Sequence, residues 1–479
     1  MSDRPTLVRG LGLTAAASVN IANMIGAGVF LKTRVMTCNV GEPWLVFAVW
    51  IAAGLLALAG ALTYAELAAM MPRAGGAYVF LREAYGRPLG FLYGWTFFGV
   101  ARPGAAAALA VSTAIFLNIL VGGALDGTYF TLHVLGRAIP FGNLQLTALA
   151  AIAIVTLINC AAISVSGRVA SIMTIIKVAL VLAVGAGAML LARGNWANFV
   201  LSGAAGACSD VPVSARGGWA GFGAAMLGAL WAYDGWDNVT SLAGEVRNPR
   251  RNMPRAFIGA MLVVGLLYLF VNISYFYVLS PAEIASVSPS SSVATEVAQK
   301  YMGPAAVGLI AMALLASSFG ALYASVLADS RVPFAMAHDG LFFRKLAEVS
   351  PRSHVPVNAV IAQAAWAGVI AVSGTYDTIT DCVMFASWLL YGLATASVFI
   401  FRRRLPDAER SYRTWGYPLV PMIFLAVTGW LLINTMRATP FQAIIGLVLI
   451  MLGLPFYWYW SRKARPVPQA AANCSDCQN

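Results

Sequence analysis

Two short stretches of the chain interrupt long apolar runs with residues that could do chemistry. One is Gly26-Ala27-Gly28; the other is Trp231-Ala232-Tyr233-Asp234-Gly235-Trp236-Asp237. Glycine costs about 1 kcal/mol against alanine in a helix interior, and it permits a backbone that leaves N–H and C=O groups unpaired. A half-helix starting after Gly28 would aim free N–H groups and its positive dipole end into the gap, which suits a carboxylate. A half-helix ending near Tyr233 would offer carbonyls and a negative end, which suits an ammonium. An α-amino acid carries both groups on one carbon. Two glycines alone would also suit close helix packing. The second interruption, roughly two hundred residues later, instead favours matched breaks in two halves of one chain. Trp231 and Tyr233 flank that break, where an aromatic ring could close over a bound molecule as a thin gate.

Single charges in apolar surroundings form a second set. Lys177 lies nine residues beyond Arg168, so it sits roughly 14 Å deeper along a helix rising 1.5 Å per residue. A lysine at that depth needs carbonyls or a carboxylate, and it could hold an unwound backbone where a cation would otherwise sit. Asp234 and Asp237 either shape the pocket or carry a proton, or they cap the second half-helix as Asp does at helix starts. Capping is the expectation for Asp237, and Asp234 stays open. Glu66 is expected to pair with a basic loop residue, Glu245 with a neighbouring Arg, and Arg102 to brace a kink before Pro103. His133, His338 and His354 lack ligand spacing, so no metal site or cofactor is expected. Neither a nucleophile motif nor a phosphate loop nor a dinucleotide fingerprint occurs, which argues against an enzyme.

These residues need elements to position them, and composition says which. Of 479 residues, 60% are hydrophobic and 10% charged, against about 25% charged in soluble domains. An all-α polytopic membrane protein is the expectation. Punctuation by charge, Pro and Gly gives twelve helices. The first seven fall near Leu11–Thr37, Pro43–Met71, Pro88–Val121, Leu144–Ile163, Val169–Ala192, Trp219–Leu242 and Pro254–Leu279. The rest fall near Tyr301–Ala328, Pro356–Val372, Ile379–Phe401, Pro418–Met436 and Pro440–Trp460. With the N-terminus inside, 22 of the 31 Lys and Arg residues fall in inner segments and 7 in outer ones. That bias places both termini in the cytoplasm. The net charge of +12 is thereby explained by topology and not by nucleic acid. Met1–Gly10 reads as a cytoplasmic end, and not as a cleaved signal. Trp44, Tyr457 and Trp460 read as interfacial anchors or packing. Six scattered cysteines imply no disulfide framework, and Cys474 and Cys477 lie in a polar tail.

With these residues in place, the chain resembles amino acid permeases of the amino acid–polyamine–organocation superfamily, most closely the L-type amino acid transporter branch. The resemblance rests on Gly26-Ala27-Gly28, Ala61-Leu62-Thr63-Tyr64-Ala65-Glu66-Leu67, Gly75-Gly76-Ala77-Tyr78 and Arg102-Pro103. Ile158-Asn159-Cys160, the stretch from Gly244 to Pro254, and Ser330-Arg331 complete it. It implies a five-plus-five inverted repeat with discontinuous helices 1 and 6. Residues 1–195 and 196–404 would be the repeats, with helices 11 and 12 and a tail in 405–479. It also implies alternating-access exchange of L-amino acids across the cell (inner) membrane. The carboxylate site would fall on Ile25, Gly26, Ala27 and Gly28. The amino-group site would fall on the backbone around Trp231, Ala232, Tyr233, Asp234 and Gly235, with Trp231 as gate. Lys177 would take a sodium ion's place, implying sodium independence. Neutral substrates are expected, because no acid is clearly placed at the far end of the pocket. A proton-coupled or cationic-substrate permease using Asp234 or Asp237 is the alternative. The segment between Gly122 and Asn143 lacks cysteine, so no disulfide-linked ancillary subunit is expected.

Overall fold

The computed structural model describes residues 9–463 except 135–136, 161–162, 204–207, 210, 289–290, 304, 373–375 and 439. The Cys474/Cys477 tail and the start of the chain through residue 8 lie outside the described residues.

The first expected helix is broken. α1 (Leu13–Met24) and α2 (Gly28–Val40) meet at a 41° bend. α3 (Pro43–Met70) begins with Pro43 at its first position, where a missing N–H costs nothing. A short amphipathic helix, α4 (Ala77–Tyr85), follows, in a segment that the apolar runs do not mark as helical. α5 (Arg87–Thr96) runs through a π-helical turn, Phe97–Ala101, into α6 (Arg102–Leu120). A two-stranded antiparallel hairpin, β1 (Thr128–Val134) and β2 (Arg137–Gly142), is the one departure from an all-α chain among the described residues. α7 (Asn143–Asn159) and α8 (Ile163–Leu191) close the first half.

In the second half, α9 (Gly218–Tyr233) stops inside the aromatic-acidic stretch, just before Asp234. The expected continuation to Leu242 is not an α-helix: only the 3-10 turns Asn238–Thr240 and Ala243–Glu245 follow. α10 (Pro249–Val278) starts one turn earlier than expected and keeps Pro254 inside its first turns. Next come α11 (Pro281–Ala285), α12 (Val293–Met302), α13 (Ala305–Asp329), α14 (Arg331–His338), α15 (Val357–Ala371) and α16 (Tyr376–Arg404). α17 (Leu419–Ala438), α18 (Pro440–Met451) and α19 (Gly453–Lys463) end the fold, so the last expected helix is two pieces.

Among the described residues, seven helical stretches are long and apolar enough to cross a membrane, or eight with α1 and α2 taken together. Leu55, Leu157, Ile175, Leu190 and Ile423 point outward and are exposed. Such a surface is stable only against lipid. Inside, α2 packs on α9, α6 on α13, and α3 and α1 on α10, which brings both interruptions to the centre.

Ion pairs lock one end. Glu66 accepts from Arg402 at 2.8 and 3.0 Å and from the Thr414 N–H at 2.6 Å, with Arg410 3.3 Å away. Arg331 grips Glu245 through two nitrogens at 2.8 and 3.1 Å. Both pairings follow the sequence expectation.

The cysteine expectation does not hold. Cys38, at the far end of α2, is bonded to Cys208, with 5.6 Å between Cα atoms. Their separation of 170 residues hides the pair from spacing arguments. Lys32 and Arg34, placed outside by the charge count, are buried within α2. Labelling with a thiol-reactive mass tag in denaturant, before and after reduction, is expected to show two additional tagged cysteines after reduction. Cys38→Ala is expected to abolish the increment, and an unchanged tag count on reduction would mean that the bond does not form.

Candidate substrate site

The break in the first helix occupies Ile25, Gly26 and Ala27. The Gly26 N–H reaches back to Met24 O at 2.8 Å, and α2 then starts at Gly28 without a side-chain cap. Its first N–H groups have no intrahelical acceptor, because every α-helix begins with such orphans. The carbonyl side is held from three directions. The Lys177 ammonium, fully buried, donates to Ala22 O at 2.5 Å. The Tyr268 hydroxyl lies 2.6 Å from Met24 O, and Ser317 donates to Ile25 O at 3.2 Å.

The second break is built differently. Asp234 leaves the helix with extended backbone, and Gly235 follows at φ +92°, a conformation that L side chains rarely adopt. A Cβ on Gly235 would also stand 2.6 Å from Asn23 Cβ. The breaks touch at Gly28, where an added Cβ would meet Ala232 Cα at 2.7 Å and Cβ at 2.8 Å. Tyr268 ties them together, since its hydroxyl also lies 2.8 Å from Ala232 O. The Val239 N–H donates to Asn20 Oδ1 at 3.0 Å, fixing the turn after the second break to α1.

A cavity with a free volume of about 30 Å³ lies between the breaks, room for a water molecule or two. Gly26, Ala27, Gly28, Trp231, Asp234 and Gly235 line it, as do Arg102, Asn238 and Ser325. Of the predicted residues, Ile25 and Ala232 lie beside the cavity and not on its wall. Tyr233 turns away: its ring packs edge-on to Trp50 and against Tyr268, and its hydroxyl meets Trp50 O at 3.4 Å. Only Trp231 of the two flanking aromatics reaches the cavity.

Three residues here escaped the sequence reading. Asn238 is 2% exposed, and neither its amide oxygen nor its nitrogen has a partner among the described residues. Tyr268 is a lone tyrosine in an apolar run. Asp329, at the last residue of α13, joins a buried ion cluster. Arg102 is the hub of that cluster. Its guanidinium lies 3.3 Å from Asp234 and 2.8 Å from Asp237, donates to the Tyr391 hydroxyl at 2.8 Å, and approaches Asp329 to 3.6 Å. Tyr391 donates to Asp234 and lies 3.2 Å from Asp237. Arg102 therefore does more than brace a kink, although the π-helical turn before it re-aims its side chain. Asp237 caps no helix, because its carboxylate is engaged by Arg102 and Tyr391. No group of three His, Cys, Asp or Glu side chains able to hold a metal occurs among the described residues.

A bundle with paired helix breaks around a polar cavity is a carrier's architecture, and comparison with known proteins decides which kind. The amino acid permease family profile matches residues 11–455. The chain belongs to the amino acid permease family. The permease is 28% identical over 463 residues to the serine/threonine exchanger SteT of Bacillus subtilis (strain 168), covering 95% of this chain and 98% of that one. It is 27% identical over 473 residues to the mouse b(0,+)-type amino acid transporter 1, covering 96% and 91%. It is also 26% identical over 470 residues to the human cystine/glutamate transporter, covering 97% and 88%. The permease is thus an integral membrane amino acid transporter of the amino acid–polyamine–organocation superfamily, and not an enzyme.

The contact at Gly28 supplies a test. The Ala232 backbone cannot yield cheaply, so Gly28→Ala is expected to spread the breaks and cut transport about 10- to 100-fold, as misplacement near 1 Å does, with folded yield retained. Gly26→Ala meets only Leu109 Cδ2 at 3.3 Å and Ala321 Cβ at 3.7 Å, so its uptake loss should be smaller. Equal losses in labelled amino acid uptake would contradict the packing argument.

Proposed function

We propose that the permease exchanges small neutral L-amino acids across the cell membrane without sodium, by alternating access. The observation that carries this reading is the pairing of an uncapped α2 N-terminus with the opened α9 C-terminus across one cavity. The substrate carboxylate is held by the N–H groups after Gly26, and its ammonium by carbonyls near Trp231 and by Asp234. Lys177 on Ala22 O supplies, at the break, a fixed positive charge in place of a mobile one, which supports sodium independence. Arg102 and Tyr391 engage the Asp234 carboxylate, which favours substrates without a second positive charge. The unpartnered Asn238 amide and the Ser325 hydroxyl complement a short polar side chain, and the likeness to a serine/threonine exchanger supports that choice.

Twelve spans in two inverted five-helix repeats, divided near residues 195 and 404, are part of this reading. The packing of α6 on α13, the third span of each proposed half, supports it. The Cys38–Cys208 bond favours an oxidising compartment for that end of α2, and so both termini in the cytoplasm. The permease works without a disulfide-linked ancillary subunit. Trp231 closes over the bound substrate.

Competition separates the two halves of the site. In proteoliposomes, unlabelled L-serine, L-threonine and L-alanine are expected to suppress uptake of labelled L-serine in choline as well as in sodium. Their methyl esters and N-acetyl derivatives, each lacking one charge, should not. Uptake that requires sodium, or that the esters suppress fully, would overturn the assignment.

A further inference from the structure

The Arg102 cluster carries more negative charge than its single guanidinium offsets. Three carboxylates, Asp234, Asp237 and Asp329, surround it; Asp237 and Asp329 are each 2% exposed and Asp234 is 9% exposed. Two uncompensated negative charges at this depth are too costly to keep. The other titratable groups facing the cluster are Tyr64 of α3, Tyr93 of α5 and Tyr391 of α16, phenols that bring no positive charge. The neighbouring Arg331 and Glu245 satisfy each other and lend nothing.

Hydrogen bonding singles out one carboxylate. Asp234 receives Arg102 and Tyr391, and Asp237 receives Arg102 at 2.8 Å. Among the described residues, Asp329 receives only the Ser325 hydroxyl, at 2.5 Å, on Oδ2. Its Oδ1 and the Arg102 Nε, 3.6 Å apart, are both buried without a hydrogen-bond partner among the described residues. Ser325 also lines the cavity, so Asp329 is one side chain from the substrate.

We propose that Asp329, backed by Asp237 and Arg102, is a proton-binding site whose occupancy the substrate-loaded permease requires in order to turn over. The proton comes from water, converts the Asp329 carboxylate to a carboxylic acid, and returns to water when the cluster opens. It removes one of the two excess charges. The substrate ammonium arriving beside Asp234 offsets the other within the cluster, while the substrate carboxylate rests apart from it on the α2 N–H groups. This rests on the proposed amino acid exchange and assigns a second ligand, the proton, to the same centre.

The test is exchange of labelled for unlabelled L-serine in proteoliposomes held at equal internal and external pH, from 5.5 to 8. Wild-type exchange is expected to fall about tenfold or more toward pH 8, following one proton. Asp329→Asn mimics the protonated acid, so it should exchange at every pH with a flat profile. Asp237→Asn, which lowers the cluster charge in the same way, serves if Asp329→Asn does not assemble, and it too should flatten the profile. A flat wild-type profile, or a wild-type slope retained in the assembled variants, overturns the proton site while leaving exchange intact. Absence of exchange at every pH and with every amino acid would instead overturn the functional reading on which the site rests.

Discussion

Arg102→Leu is expected to leave no folded, monodisperse permease after detergent extraction. The leucine would strand Asp234, Asp237 and Asp329 together with the Tyr391 hydroxyl, all buried at one point. Removing one partner from a buried ion pair costs about 3–5 kcal/mol, and here the guanidinium serves three carboxylates. It also sits 4.8 Å from the Phe97 ring centroid, so packing is lost with the charge. Arg102→Lys keeps the charge but not the planar fork, so it should fold with a lowered melting temperature. Size-exclusion profiles and thermal melts check both. A wild-type melt for Arg102→Leu would mean that the carboxylates hold no charge in need of Arg102.

Lys177→Met is expected to do the reverse, preserving the fold and removing transport. Lysine burial is itself costly, and an apolar side chain of similar length relieves that cost. What disappears is the donor to Ala22 O at the break. A hydrogen bond from a charged group contributes about 1.5–3 kcal/mol, which corresponds to a loss of about 10- to 100-fold in exchange rate if it orders the break. Reconstituted exchange at matched protein density measures this. A wild-type rate in Lys177→Met would remove Lys177 from the mechanism.

The opposite outcomes expected for these two cations explain how much of the site was legible in the sequence. The breaks were visible because glycine, acid and aromatics are conspicuous inside apolar runs, and Lys177 was visible for the same reason. Glu66 and Glu245 could be expected to find a basic partner, since each lies near a helix end where arginines cluster, but not which one: Arg402 and Arg331 lie 336 and 86 residues away. The partners of Arg102 could not. Asp329 lies more than two hundred residues away, beside Ser330 and Arg331, where it reads as an ordinary helix-terminal acid. Asp237 sits at the spacing of a cap, yet an arginine at close range outcompetes the backbone N–H groups for its carboxylate. Asn238 and Tyr268 gave no signal, because one polar residue in an apolar run acquires meaning only from what lies opposite. The short helices α4, α11, α12 and α14 were missed for a related reason. Each has only five to ten residues, too few to show up as a span of its own.

Transport itself rests on the two breaks holding both ends of one amino acid, and trans-stimulation tests that most directly. Labelled L-serine uptake would be followed into proteoliposomes with and without unlabelled L-serine trapped inside, without sodium, at pH 5.5 on both sides. The account predicts strong uptake into loaded vesicles and little into empty ones. Equal uptake into both would contradict exchange through this site.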